Sequence, residues 1–233
     1  MTPATIAIDK LNSGIASLKR RQRYEPGGDL VKVNLVSGLP VAPGWVNIDM
    51  NASTLCATLP APALRLVYHL SNAKRWSGVD EYVERLKGNV LLHHNLVYGI
   101  PLPDESADYV YSAHFFEHLY REDAERLFRE SHRILKPGGV LRINVPSLEP
   151  AVAALAAGDT ERGLEAFFPR SAQDDKSSLG RHRYMYDANL LARLLHEAGF
   201  GIVEQRERRR GAMPDLDVLE HRSEDGLYVE ATR

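Results

Sequence analysis

The densest chemical signal in the chain is His114-Phe115-Phe116-Glu117-His118, which directly follows Tyr109 to Ser112, an apolar run that reads as a buried strand. In open α/β sheets ligands lie outside the carboxyl ends of the strands. Two imidazoles and a carboxylate therefore stand where chemistry is done. Histidine suits general-base catalysis near neutral pH, and His114, just past the strand, is the first candidate for that role; its plainer job is a loop histidine bonded to backbone. His118 reads as orienting the loop or capping a helix, and Glu117 as holding a neighbouring N–H. The five residues also match H-x-x-E-H, but that zinc chemistry needs both histidines on one face of a helix and a distant acidic ligand. No metal site is read from the sequence. His93 and His94 are neighbours on another strand candidate, so one should be buried and the other exposed. In Gly180 to Asp187, His182 and Tyr184 are placed to lid a pocket, with His182 the second candidate for the substrate site. Arg181 and Arg183 read as solvated, or as a site for phosphate or carboxylate. Met185 reads as packing, and Asp187 is a helix N-cap candidate.

The elements that position these residues are legible as an alternating pattern. Short apolar runs, Val31 to Val36, Trp45 to Ile48, Val90 to Leu92, Tyr109 to Ser112 and Val140 to Val145, have the composition of buried strands. Helical spacing separates the later ones: Ala124, Leu127, Phe128, Ser131 and Leu135, then Leu190, Leu191, Leu194 and Leu195. Such alternation implies βαβ units and a mostly parallel sheet covered on both faces. Ile202 to Arg206 and Leu227 to Ala231 are two strands with no helix between them, an antiparallel pair at a sheet edge. Residues 5 to 22 read as an amphipathic helix, broken by Pro26-Gly27-Gly28. Residues 50 to 88 read as a helical insertion, with helices over Leu64 to Leu70 and Val79 to Leu86. At Leu135-Lys136-Pro137-Gly138-Gly139 the helix should stop before the proline, and the glycines should permit a tight reversal into the next strand.

Composition excludes several classes. With 233 residues, 44% hydrophobic and 26% charged, the chain is ordinarily globular and fits one large domain. A net charge of −2 gives no field to attract nucleic acid or an anionic membrane, and Arg206 to Arg210 reads as a solvated edge. The single cysteine, Cys56, forms no intrachain disulfide and no metal spacing. With neither a signal peptide nor a membrane span, the expectation is cytoplasmic.

The order of "VNLVSG", "GWVNID", "HHNLVYGIPLPDESADYVYSAHFFEHL", "LKPGGVLRINVPS" and "HRYMYD…LLHEAGF" resembles class I S-adenosylmethionine (SAM)-dependent methyltransferases. It is most similar to small bacterial methyltransferase-domain proteins linked to surface-glycan biosynthesis. The resemblance covers roughly residues 31 to 233 and implies an α/β, Rossmann-like, doubly wound, mostly parallel seven-stranded sheet. An antiparallel C-terminal strand and a helical insertion after the second strand complete it. Residues 1–30 are then an N-terminal helical extension, and 31–233 the methyltransferase domain. The resemblance puts SAM across the first strands. Ser37 and Gly38 would bring backbone N–H groups to its methionine portion. Asp49, with Met50 beside it, would accept from the ribose hydroxyls. Asn95, followed by Leu96, stands where an aspartate usually accepts from the adenine amino group. A neutral carboxamide there forgoes about 1 kcal/mol of charge assistance. Ser112, Ala113 and His114 would border the sulfonium.

Two departures qualify that picture. Val36 stands where the family commonly has a glycine, and a β-branched side chain restricts close backbone approach. Only Leu39 to Pro43 separate Gly38 from Gly44, too few for the usual crossover helix. Seven extended residues reach about 23–25 Å, and a five-residue strand is about 17 Å long, so an extended strap suffices. Methyl transfer needs an in-line nucleophile in a pocket that excludes water. The expected activity is methyl transfer to an oxygen or nitrogen of a small molecule, with a sugar or glycan precursor implied by the resemblance alone. The alternative is a catalytically inactive binding or assembly protein on the same fold. No nucleic-acid partner and no membrane insertion are expected, and self-association is left open.

Overall fold

The structure is a computed structural model, and its description covers residues 12–36, 41–70, 74, 77–168, 182–220 and 226–233. A helix over residues 12–18 (α1) precedes β1 (Lys32–Leu35) and β2 (Val46–Asp49). Helices α2 (Ala52–Cys56), α3 (Ala61–Leu70) and α4 (Val79–Lys87) lead to β3 (Val90–His93). Then follow β4 (Ala107–Ala113), α5 (Arg121–Ile134), β5 (Leu135–Pro146), α6 (Glu149–Ala156), α7 (Thr160–Glu165) and α8 (Ala188–Glu197). The chain closes with β6 (Ile202–Arg206), α9 (Leu216–Leu219) and β7 (Gly226–Thr232). The seven strands pair in the order β3-β2-β1-β4-β5-β7-β6, parallel except for β7, which is antiparallel to both β5 and β6. This is the mostly parallel sheet that the alternating pattern implied, in the doubly wound, Rossmann-like order that the resemblance implied. The order reverses between β1 and β4, which pair directly, Leu35 opposite Ser112.

One face of the sheet carries the main core. Val33 and Leu35 of β1, Val110 of β4 and Ile143 of β5 pack there with Leu127 and Phe128 of α5 and Leu191, Leu194 and Leu195 of α8. The spacing of those helical residues makes one apolar stripe on each helix. Asp187 is the N-cap of α8, its carboxylate accepting from the Leu190 N–H at 2.7 Å.

The opposite face lacks a crossover helix among the described residues between β1 and β2, and two other pieces fill the space. Ala42 and Trp45 pack with Tyr111, Val140, Met213, Leu216 and Leu219. Asp215 ties them together, accepting from Trp45 Nε1 at 2.8 Å and from Lys32 Nζ at 2.6 Å. The short helix α9 thus lies between β6 and β7, where none was expected. Pro214 and Asp215 give that stretch the look of a loop, and the driving force is tertiary: Leu216 and Leu219 cover the sheet where the crossover strap leaves it bare.

Helices α3 and α4 follow the reading of residues 50 to 88 and form a small core of their own through Leu64, Tyr68, Tyr82 and Leu86. They are the crossover that parallel pairing of β2 and β3 requires.

The Leu135-to-Gly139 segment differs from the tight reversal expected of it. The chain passes straight from α5 into β5, and the pairing with β4 shifts between Ala107 and Tyr109. Gly138 takes φ 79°, and the C-terminal Arg233 brackets the irregularity, its C=O accepting from Gly138 N–H and its N–H donating to Gly139 C=O. A Cβ on Gly139 would fall 2.9 Å from Lys136 O and 3.1 Å from Asp108 O, so this position has no room for a side chain.

Candidate active site at the strand switch

The carboxyl ends of β1 and β4 flank the point where the strand order reverses, the place where open α/β sheets form a ligand crevice. Each strand is followed at once by a side-chain-bearing residue in the left-handed region: Val36 at φ 54° and His114 at φ 50°. A β-branched residue in this conformation is a genuine outlier, and such strain gathers at ligand sites. Val36 thus takes the backbone conformation a glycine would supply while keeping its β-branched side chain. Ser37 and Gly38 lie outside the described residues.

Asp49 ends β2 with 8% exposure, and its Oδ1 accepts from the Asn51 N–H at 3.0 Å. Met50 follows it, half-buried. Asn95 caps the 3-10 turn Leu96–Tyr98 by accepting from the Val97 N–H at 3.0 Å. Leu96 turns into the main core. Ser112 is fully buried on β4, and its hydroxyl has no hydrogen-bond partner among the described residues; Ala113 is half-buried. A buried carboxylate and an orphaned hydroxyl beside two strained strand ends fit a polar ligand laid across β2, β1 and β4. The side chain of Asn12 in α1 reaches this end of the sheet, donating to Met50 C=O and accepting from His93 Nε2 at 2.7 Å.

His93 and His94 are both buried, 6% and 3% exposed, which corrects the expectation of one exposed ring. β3 ends at His93, so the alternation no longer applies to His94, whose Nε2 meets Gly99 C=O at 3.0 Å. Burial pushes both imidazoles below the ordinary histidine value.

The His114 cluster is built from three segments. His114 N–H donates to Asn144 C=O of β5 at 2.9 Å, which fixes the backbone at the strand end. Phe116, fully buried, stacks on Phe128 of α5 with ring centroids 4.4 Å apart and anchors the 3-10 turn Phe116–His118. The Arg183 and Tyr184 N–H groups donate to Glu117 C=O at 2.7 and 3.2 Å, so the strap before α8 is stitched to this turn. As a result His182 packs against His118, ring centroids 5.2 Å apart. Glu117 sits in the middle with 1% exposure: Oε1 is 3.5 Å from His114 Nδ1 and 3.7 Å from His118 Nε2. His114 and His182, the two catalytic candidates, thus both lie near one buried carboxylate. Arg183 donates to His118 C=O and stacks 4.9 Å over the Tyr120 ring, an anchoring job rather than the solvated one expected; Arg181 lies outside the described residues. Sequence reasoning missed the central place of Glu117, because only the fold brings His182 to it.

The family model for a methyltransferase domain matches residues 61–143. No curated protein matches the sequence. Among solved structures, an S-adenosylmethionine-dependent methyltransferase from Mesorhizobium loti is 22% identical, with a TM-score of 0.50, covering 88% of this chain and 92% of that one. A possible histamine N-methyltransferase from Thermotoga maritima is 18% identical, with a TM-score of 0.46 and coverage of 95% and 91%. A possible exported protein from Bordetella parapertussis is 17% identical, with a TM-score of 0.47 and coverage of 99% and 69%. The matched stretch runs from α3 into β5, and the likeness to the Mesorhizobium loti structure is one of fold. No helix among the described residues is long and apolar enough to cross a membrane.

Proposed function

We propose that this chain transfers a methyl group from SAM to an oxygen or nitrogen of a small molecule, with a sugar or glycan precursor as the favoured acceptor class. The observation that carries the reading is the pairing of two left-handed strand ends, Val36 and His114, at the strand switch, with the orphaned Ser112 hydroxyl beside them. SAM supplies an electrophilic methyl group on sulfur. Asp49 is assigned to the ribose hydroxyls, with Met50, Asn95 and Leu96 bordering the nucleoside, and Ser112 and Ala113 lining the methionine side. Asn95 keeps one lone pair for a donor after capping Val97. Within the N-terminal extension, α1 caps this end of the sheet through Asn12.

His114 is assigned to take the acceptor's proton. Glu117 lies on its Nδ1 side, which leaves Nε2 for that proton, and a buried carboxylate beside the ring balances the charge it gains. His182 borders the acceptor from the strap. The test is release of S-adenosylhomocysteine in the presence of a panel of sugar hydroxyl and amine acceptors. General-base catalysis is worth about 10²–10⁴-fold. His114→Ala should lose at least 10²-fold in turnover with SAM affinity intact; an unchanged rate removes His114 from the mechanism.

A further inference from the structure

We infer that Glu117, His118 and His182 form a binding site for a divalent first-row transition ion, of which zinc is the simplest case. One carboxylate oxygen of Glu117 and one ring nitrogen from each histidine lie within 4.8 Å of one another. Two further observations point to a cation. Both oxygens of Glu117 are buried and make no hydrogen bond among the described residues, and a buried carboxylate without partners is costly unless a positive charge meets it. In addition, His182 Nδ1 faces Ala166 C=O at 3.0 Å. A carbonyl only accepts, so Nδ1 carries the proton and Nε2 presents a lone pair; metal-bound histidines are held in this manner by a carbonyl on the far nitrogen. Two imidazoles and one carboxylate, with further positions open, form the donor set of catalytic zinc and related sites. The sequence conceals the site because His182 reaches it only through the strap that Glu117 C=O holds in place.

The role follows from position and rests on the function proposed above. Glu117 touches His114 as well as the ion, so an acceptor oxygen bound at an open position would lie beside the group assigned to take its proton.

The experiment uses the full chain without an affinity tag, stripped with chelator. Zinc uptake is measured by competition with a chromophoric chelator, and cobalt(II) by its visible absorption. One equivalent of either ion per chain is expected. His182→Ala and Glu117→Gln should each weaken binding at least tenfold, whereas His69→Ala, on an exposed part of α3, should leave it unchanged. Thermal unfolding of each variant confirms folding, and His182→Ala stands alone if Glu117→Gln does not fold. Uptake well below one equivalent, or binding indifferent to His182 and Glu117, overturns the inference. SAM binding, titrated separately, keeps the two claims apart: zinc without SAM sinks the methyltransferase reading alone, and SAM without zinc sinks the metal site alone.

Discussion

Ser112 shows the residue-scale trade between stability and ligand binding most clearly. Its buried hydroxyl pays desolvation with no partner among the described residues. Ser112→Ala is therefore expected to leave the melting temperature unchanged or raise it, while weakening SAM by about 1 kcal/mol, near fivefold; a destabilised variant with unaltered affinity contradicts the assignment. Val36→Gly should bind SAM at least as tightly as the parent, since φ 54° suits glycine; a tenfold loss by calorimetric titration would show that the valine side chain is itself needed. His93 and His94 make stability depend on pH. Their folded values are depressed by burial, and unfolded histidine titrates near 6.5. The unfolded chain thus binds protons first, and stability present above about pH 6.5 is lost as pH falls toward the folded values. Asp215, held low by the Lys32 and Trp45 hydrogen bonds, adds a second loss below about pH 4. Urea unfolding at pH 7.5 and pH 5.5 should show the first loss, and His94→Gln should lessen it; greater stability at pH 5.5 contradicts the account.

Among the elements, β5 carries a fully buried cation. Arg142 and Glu220 have fully buried side chains 2.5 Å apart, and Glu230, directly across on β7, is 3.1 Å from Arg142. The same Glu230 accepts from the Ala212 and Met213 N–H groups, so the network pins the β6–β7 connection that covers the sheet. Removing the arginine takes from Glu220 its buried cation and leaves Glu230 paired with Arg206 at 3.3 Å, and Arg142→Ala should cost about 3–5 kcal/mol in denaturant unfolding. A loss under 1 kcal/mol would mean the carboxylates find other partners. The sequence pattern revealed the strands well where apolar residues cluster, as at β1 and β4, and revealed α8 through Asp187. It failed where tertiary context decides. An arginine inside LRINV signals a buried partner without naming it, α9 folds because the β1–β2 strap leaves apolar area bare, and the Glu117–His182 contact joins segments far apart in the chain.

At the scale of the whole molecule, the ends of β2, β1 and β4 lie side by side in the sheet, α1 is tied to Met50 and His93 through Asn12, and the His114 turn follows β4. A ligand that binds only the folded chain stabilises it by about 2.7 kcal/mol at a hundred times its dissociation constant, and each kcal/mol shifts the melting temperature of a chain this size by about 2–4 °C. Saturating S-adenosylhomocysteine should therefore raise the midpoint by roughly 5–11 °C. The most direct test of the account is calorimetric titration of SAM into the wild-type chain and into Asp49→Ala. The account predicts one site per chain, weakened in the variant by about 1.5–3 kcal/mol, the worth of hydrogen bonds to a charged group. Equal affinity in the two proteins, or no heat from either, would contradict it.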